Sequence, residues 1–223
     1  MTSTSLLIIS GAGLPDWIWD DATYGLDAAI AQRPDRRNAT LRDYAQAALA
    51  TTPRGPLTVV AHSAGGVVAA ALAALAPKRV RGILGVTAVI PHAGRSFIGS
   101  MPMPNRLILS TLMRLAGTRP PASVLRSGLT AGLDPETSQR IVDDFVPESQ
   151  GYYRDRAPEF VLPIHRGYIT TTTDRELPSA LQRGFKERLA SVYEGEIEGG
   201  HLPMLEHPQR LRASIVDFQA SVR

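Results

Sequence analysis

The sequence has no cysteine among its 223 residues. Disulfide bonds, thiolate metal sites and a cysteine nucleophile are therefore excluded, and nothing in the composition requires an oxidising compartment. Any covalent chemistry that this chain performs must use another side chain.

Long apolar runs are missing near the start of the chain. The run at residues 6–9 is only four residues long, and residues 1–5 before it carry no basic side chain. A signal peptide needs an apolar run of about 7–15 residues, and a membrane-spanning helix needs about 20. We therefore expect a cytoplasmic protein with no membrane partner.

An excess of charge of one sign is missing as well. The formal net charge is +3, and the arginines occur singly or in pairs. Nucleic-acid binding needs basic residues clustered on one stripe with aromatic platforms, so we expect no nucleic-acid partner. The length and the 43% of hydrophobic residues fit one soluble globular domain over residues 1–223.

Three common ligand-binding motifs are absent or incomplete. The five histidines have no His-Glu-x-x-His or comparable metal-ligand spacing, and there is no Walker A sequence. Gly11-x-Gly13 begins like a dinucleotide-binding fingerprint, but Asp16 stands where the third glycine belongs. We therefore expect neither a metal nor a cofactor.

The most informative stretch that is present spans residues 56–68, Pro-Leu-Thr-Val-Val-Ala-His-Ser-Ala-Gly-Gly-Val-Val. A β-branched run leads to Ser63 among small residues, and residues 64–76 are mostly apolar and stop at Pro77. This order predicts a strand, a sharp turn and a helix, with the serine hydroxyl exposed at the carboxyl end of a sheet. Ser63 is then a catalytic nucleophile or a serine that only caps the helix. Ala61 stands where the G-x-S-x-G motif has its first glycine.

Apolar runs of strand length alternate with helical patterns along most of the chain. Strands are predicted at residues 6–9, 56–62, 80–90, 165–173 and 191–197, and helices at residues 40–50, 64–76, 178–189 and 208–222. Residues 27–32 fit either the end of a helix or a short second strand. The last helix is expected to direct four apolar side chains inward: Leu211, Ile215, Val216 and Phe218. The predicted fold class is α/β, with a mostly parallel sheet flanked by helices.

The sequence pattern of residues 91–163 differs from the alternation of strands and helices in the rest of the chain. Nine prolines break this region into short segments, with candidate helices at residues 107–115 and 135–145 and Asp134 as an N-cap. A region of about seventy residues with no strand run would make a poor independent core. We therefore expect an inserted helical lid rather than a second domain.

Three polar residues follow predicted strands in an order that suits serine hydrolysis. That reaction needs a nucleophile, an imidazole that takes its proton, and a buried carboxylate that orients the imidazole. Ser63, Asp174 and His201 each come directly after a strand, so they are expected at one edge of the sheet. The chain order Ser, Asp, His is that of the α/β-hydrolase arrangement.

The other candidates for base and acid fit less well. Four other histidines compete with His201 for the role of base. His62 precedes the nucleophile and His92 lies in the loop into the lid, while His165 stands at a strand start and His207 at a helix start. His62 is expected to point away from Ser63, and His92 has no acid at a matching strand end. Glu176 rivals Asp174 as the acid, but it lies two residues past Asp174, which stands directly at the strand end.

The glycine-rich loop at residues 10–14 is expected to help stabilise the oxyanion of the predicted reaction. The backbone N–H groups of Ala64 and Ala12 are the expected oxyanion hole, and each such donor typically lowers the barrier by ~3 kcal/mol. Substrate-binding candidates lie in this loop, just after it and in the lid: Gly11, Trp17, His92, Met103 and Tyr153. Seven apolar lid residues are pocket candidates, with at least half of them expected in the lid core instead: Met101, Met103, Leu107, Leu112, Phe145, Tyr152 and Tyr153.

These motifs resemble the α/β-hydrolase superfamily, and more narrowly the small lidded group that includes plant methylesterases and hydroxynitrile lyases. The resemblance covers nearly the whole chain and rests on five stretches: residues 10–19, 61–66, 90–96, 168–174 and 199–205. It implies an α/β-hydrolase fold with a helical lid.

The chain departs from this group at three places. Ser10 replaces the histidine usual before the loop glycine, and residues 20–40 are short. Hydroxynitrile lyases of the group carry threonine where Gly11 stands and lysine where this chain has Leu202. The last departure argues against cyanohydrin cleavage.

Three functions follow from the sequence, in order of preference. The first is a serine hydrolase that cleaves a carboxylic ester or related acyl compound of small to medium size. The second is a lyase or cyclase of the same fold that uses Ser63 and His201 as acid and base, and the third is a ligand-binding protein without turnover. The fold alone does not separate them, and the sequence does not predict the oligomeric state.

Overall fold

Six parallel strands form a single sheet at the centre of the molecule. In the computed structural model, which describes residues 4–222, the strands are β1 (Ser5–Ile9), β2 (Ala28–Ile30), β3 (Leu57–His62), β4 (Val80–Val86), β5 (His165–Thr171) and β6 (Tyr193–Ile197). Their order is β2-β1-β3-β4-β5-β6, and every neighbouring pair is parallel. The predicted α/β class with a mostly parallel sheet is confirmed.

Helices surround the sheet. They are α1 (Asp20–Thr23), α2 (Leu41–Ala50), α3 (Gly65–Leu75), α4 (Phe97–Ser100), α5 (Asn105–Ala116), α6 (Ala122–Ser127), α7 (Pro135–Asp144), α8 (Gln150–Arg154), α9 (Ser179–Leu189), α10 (Pro203–Glu206) and α11 (Pro208–Ser221), with a 3₁₀ turn at Asp16–Trp19. No helix within the described residues is long and apolar enough to cross a membrane.

The sheet has a packed layer on each face. Successive side chains of a strand point to opposite faces, and in β1 Leu7 and Ile9 belong to one apolar cluster while Leu6 and Ile8 belong to the other. The first cluster is shared with α2, α3 and α9, and the second with α11 and the 3₁₀ turn. Burial on both faces explains why β1 reads as a continuous apolar run.

Local capping fixes two helix starts that the sequence predicts. The Thr40 side chain accepts a hydrogen bond from the Asp43 N–H, and the Asp43 carboxylate accepts one from the Thr40 N–H, which is a capping box at the start of α2. Asp134 accepts from the N–H of Thr137 at the start of α7.

The structure corrects the sequence-based prediction at three points. The strand predicted at residues 80–90 ends at Val86, because the chain turns at Thr87, whose φ is 37°. The strand predicted at residues 165–173 ends at Thr171. Val216 is 43% exposed rather than inward-facing, because it lies outside the narrow stripe that α11 presents to the sheet. Residues 27–32 contain the short strand β2.

The segment between β4 and β5 contains α4 to α8 and no strand. Four of the seven apolar pocket candidates in it are buried, namely Met101, Phe145, Tyr152 and Tyr153. Met103, Leu107 and Leu112 are instead more than half exposed. The role of residues 91–163 as a lid stays a prediction.

Two helical glycines provide a test of how closely α3 packs against the segment after β4. A Cβ on Gly66 would overlap the carbonyl oxygen of Val89, whereas a Cβ on Gly184 in α9 would meet no atom within 4 Å. Gly66→Ala is expected to lower the free energy of unfolding by about 1–3 kcal/mol because backbone must shift. Gly184→Ala is the matched control and is expected to raise it by about 0.5–1 kcal/mol. Urea unfolding of both variants checks this, and equal effects would contradict the packing argument.

Candidate active site

Ser63 occupies a strained turn between β3 and α3. Its φ is 52°, in the left-handed region that non-glycine residues rarely adopt. Three contacts hold this conformation. The N–H of Val89 donates to the Ser63 carbonyl at 2.8 Å, and the Ser63 N–H donates to the carbonyl of Val86 at 3.3 Å. The backbone at Gly65 lies so close to the Ile9 carbonyl that a Cβ at this position would overlap it. Strain of this kind persists only where the surroundings determine the backbone. The turn presents the Ser63 side chain at the carboxyl end of the sheet.

A continuous hydrogen-bonded chain connects the three residues predicted for catalysis. The Ser63 hydroxyl donates to Nε2 of His201 at 2.9 Å, and Nδ1–H of His201 donates to Oδ2 of Asp174 at 2.7 Å. His201 and Asp174 are buried, while Ser63 is partly exposed. The residues follow β3, β6 and β5, so the parallel sheet brings together side chains that are distant in sequence.

Asp174 is held in its charged form by several donors. Its Oδ2 also accepts from the Thr87 hydroxyl at 2.6 Å, and its Oδ1 accepts from the N–H groups of Glu176 at 2.8 Å and Leu177 at 2.9 Å. Burial alone would raise the pKa of Asp174, but the hydrogen bonds from His201, Thr87 and Leu177 outweigh it and bring the pKa below its ordinary value. A charged carboxylate fixes the tautomer of His201 and stabilises the imidazolium.

Glu176, the rival acid, does not take part in the hydrogen-bonded chain through its side chain. Its backbone N–H serves Asp174, and its carboxylate lies beside Gly128 in the segment between β4 and β5. Thr87, in contrast, contacts the carboxylate directly, and sequence reasoning missed it. Thr87 is marked by its left-handed backbone conformation after β4, and this conformation is visible only in the structure.

His62 is a buried residue that contacts the backbone of His201. Its Nε2–H donates to the backbone carbonyl of His201 at 2.8 Å, and its ring is fully buried. Burial, together with a smaller contribution from the nearby His201, lowers the pKa of His62 to about 3. His62 is therefore neutral, and it fixes the turn that carries His201, as its predicted structural role requires.

The glycine-rich loop after β1 lies directly against the nucleophile turn. A Cβ on Gly11 would come within 3.0 Å of the Ser63 Cβ and 2.9 Å of Nδ1 of His62. Within residues 4–222, the N–H groups of Ala12 and Ala64 donate to no protein acceptor. Ala64 directly follows Ser63, and Ala12 directly follows Gly11, so their role as an oxyanion hole stays a prediction.

The remaining substrate-binding candidates lie in different surroundings. The Trp17 indole N–H donates to Asp144 at 2.8 Å, and the ring of Tyr153 packs edge-on against Phe97 with centroids 5.6 Å apart. His92 is exposed, and Met103 is 61% exposed. A role for these side chains in binding substrate stays a prediction. Among the described residues, no group of three histidine or acidic side chains is arranged to hold a metal ion.

The chain belongs to the α/β hydrolase family. The family model matches residues 6–214, nearly the whole chain. The protein is accordingly an enzyme of the α/β-fold hydrolase class. No match was found among curated proteins.

Solved structures share this fold at low sequence identity. An extracellular α/β-hydrolase from a Paenibacillus species, described as structurally and functionally homologous to tobacco salicylic acid binding protein 2, is 17% identical with a TM-score of 0.77 over 96% of this chain and 98% of that chain. A pyrethroid hydrolase from Sphingobium faniae JZ-2 is 22% identical with a TM-score of 0.74 over 99% and 98%. Tomato methylketone synthase I, complexed with β-ketoheptanoate, is 13% identical with a TM-score of 0.71 over 100% of both chains.

The neutral state of His62 predicts a pH dependence of stability. In the unfolded chain His62 binds a proton below pH about 6.5, but in the folded protein only near pH 3. The unfolded state therefore binds more protons in this window, and the free energy of unfolding falls as the pH is lowered, by at most about 1.4 kcal/mol per pH unit for one group.

His62→Gln keeps an N–H donor and removes this titration. Urea unfolding at pH 7 and pH 5 should show that the wild-type protein loses about 1–2 kcal/mol more stability than the variant over this interval. Parallel losses in the two proteins would show that His62 is not held neutral.

Proposed function

We propose that the protein is a serine hydrolase that cleaves a carboxylic ester or a related acyl compound. The observation that carries the proposal is the continuous hydrogen-bonded chain from Ser63 through His201 to Asp174 at one edge of the sheet. This chain supplies a nucleophile, a base and a charged orienting group in the order that acyl transfer requires.

In the first half-reaction Ser63 becomes acylated. Nε2 of His201 accepts the hydroxyl proton while the Ser63 oxygen attacks the carbonyl carbon. The oxyanion that forms receives hydrogen bonds from the N–H groups of Ala12 and Ala64, and each of these is typically worth ~3 kcal/mol of barrier. His201 then gives its proton to the leaving alcohol oxygen as the acyl C–O bond breaks.

In the second half-reaction water releases the acid. His201 accepts a proton from a water molecule that attacks the acyl-enzyme, and the same two amides stabilise the second oxyanion. Collapse returns the proton to the Ser63 oxygen. Asp174 stays charged throughout and stabilises the imidazolium of His201 in both steps.

The substrate is proposed to be of small to medium size, and residues 91–163 to form the lid that selects it. The pyrethroid hydrolase that shares the fold supports hydrolysis on this scaffold. The buried Leu202 occupies the position of the lysine expected of a hydroxynitrile lyase and therefore disfavours cyanohydrin cleavage.

Removal of the nucleophile is the first test. Ser63→Ala should reduce the hydrolysis of p-nitrophenyl acetate and butyrate to the background rate, because no acyl-enzyme forms, while the melting temperature changes little. Mass spectrometry should show that a fluorophosphonate labels the wild-type protein and not the variant. Wild-type turnover by Ser63→Ala would refute the proposal, whereas absent esterase activity and an inert fluorophosphonate would favour a lyase or cyclase of this fold.

The two neighbouring acids provide a matched test of the orienting group. Asp174→Asn should lower kcat by about 10⁴-fold because the imidazole then adopts the wrong tautomer. Glu176→Gln should leave kcat within about 2-fold of the wild type, since only its backbone N–H serves the site. Steady-state kinetics on one p-nitrophenyl ester checks both, and a larger effect at Glu176 would reverse the assignment.

A further inference from the structure

The segment between α7 and α8 binds the glycine-rich loop at residues 10–14, which contains Ala12. Gly13 has a φ of 74°, and the ring of Phe145 occupies the space where a side chain at Gly13 would lie. The N–H of Gly13 donates to Oε1 of Glu148 at 3.0 Å, and the carbonyl of Gly13 accepts from the N–H of Val146 at 3.0 Å. Both backbone polar groups of Gly13 are therefore bound by residues 145–148.

Glu148 is the centre of a buried polar cluster. It is 5% exposed, and besides Gly13 its carboxylate accepts from Nε of Arg33 at 2.8 Å and from the hydroxyl of Tyr44 at 2.8 Å. A buried carboxylate is tolerated only where donors such as these compensate its lost hydration. We call Arg33, Tyr44 and Glu148 the loop clamp.

The clamp holds the loop at a second point. Nη2 of Arg33 donates to the carbonyl of Leu14 at 2.6 Å, so two consecutive loop residues, Gly13 and Leu14, are tied to one ion pair. Burial, together with a smaller contribution from Glu148, raises the pKa of Tyr44 to about 12, so that Tyr44 stays a donor. Burial would lower the pKa of Arg33, but Glu148 outweighs it, so that the guanidinium stays charged.

A cavity next to the glycine-rich loop gives it space to move when the clamp is absent. The cavity, of about 30 Å³, lies beside the clamp and is lined in part by Ser10 and Gly11 from the loop and by all three clamp residues. This is enough space for at least one water molecule. A shift of the loop toward it would move Ala12, which is next to Gly13, and a catalytic donor must be held within about 0.5 Å of its working position.

The clamp also connects the loop to the remainder of the proposed lid. The Thr118 hydroxyl donates to the Glu148 carbonyl at 2.6 Å. Two Arg119 nitrogens donate to the carbonyls of Phe145 at 2.6 Å and Val142 at 2.9 Å. The segment at residues 145–148 therefore rests on the loop after α5 on one side and on the glycine-rich loop on the other.

We propose that Glu148 is a positioning residue for the oxyanion hole: with Arg33 and Tyr44 it sets the Ala12 amide, so that the hole is complete only when residues 145–148 are seated on the glycine-rich loop. This inference rests on the proposed acyl transfer at Ser63. It assigns a catalytic consequence to a carboxylate that lies outside the hydrogen-bonded chain of Ser63, His201 and Asp174.

Kinetics of Glu148→Gln tests the proposal against a purely structural role. The variant is nearly isosteric and removes the charge that pairs with Arg33. We expect kcat on p-nitrophenyl butyrate to fall about 10–100-fold, part of the effect of losing one oxyanion donor, with KM within about 3-fold. The affinity for a trifluoromethyl ketone, whose adduct carries the oxyanion, should fall in parallel with kcat. Tyr44→Phe, which leaves the Gly13 contact, should have a smaller effect in the same direction.

Ser149→Ala is the matched control. Ser149 is adjacent to Glu148 and buried, and its hydroxyl bonds the carbonyl of Ala39 rather than the glycine-rich loop. It should lose thermal stability while its kcat stays within about 2-fold of the wild type. If Ser149→Ala lowers kcat as much as Glu148→Gln, or if Glu148→Gln leaves kcat unchanged, the positioning role is wrong.

Amide hydrogen exchange gives a readout that needs no turnover. Glu148→Gln should speed exchange in a peptide covering residues 10–14, and Ser149→Ala should not. This outcome separates the two proposals, because an absence of esterase activity in the wild-type protein would refute the hydrolase and still leave the clamp measurable. Unchanged exchange in Glu148→Gln would overturn the clamp even if Ser63 is the nucleophile.

Discussion

The left-handed turn at Ser63 is the constraint on which the rest of the structure depends. A non-glycine residue at φ 52° costs free energy, which the surrounding packing must offset. The offset comes from the close approach of α3 to β1 and to the segment after β4, which only Gly65 and Gly66 permit. Backbone contact therefore requires glycine at positions 65 and 66, whereas the alanine at position 61 is fully buried in β3.

Around this turn, the buried carboxylates are paired with hydrogen-bond donors. Asp174 and Glu148 are both buried carboxylates, and each accepts hydrogen bonds on both of its oxygens. Asp174 orients the proposed base, and Glu148 holds the loop that faces the nucleophile. Two such centres give a site in which the main groups are fixed before any substrate arrives.

The sheet and the hydrogen-bonded chain were predictable from the sequence because both follow from local patterns. Ser63, Asp174 and His201 each end a recognisable strand, and parallel strands bring their carboxyl ends to one edge. Thr87 and Glu148 were not predictable, since their partners lie 87 and 135 residues away and no periodicity marks them. The prolines between β4 and β5 predict broken helices, but how those helices pack depends on such long-range contacts.

The hydrogen bond between Ser63 and His201 joins residues 138 positions apart. During synthesis Ser63 emerges from the ribosome before the imidazole that it contacts. A nascent chain that stalls before β6 thus contains the serine without its hydrogen-bond partner. The topology therefore allows the hydrogen-bonded chain to be completed only after β6 has joined the sheet.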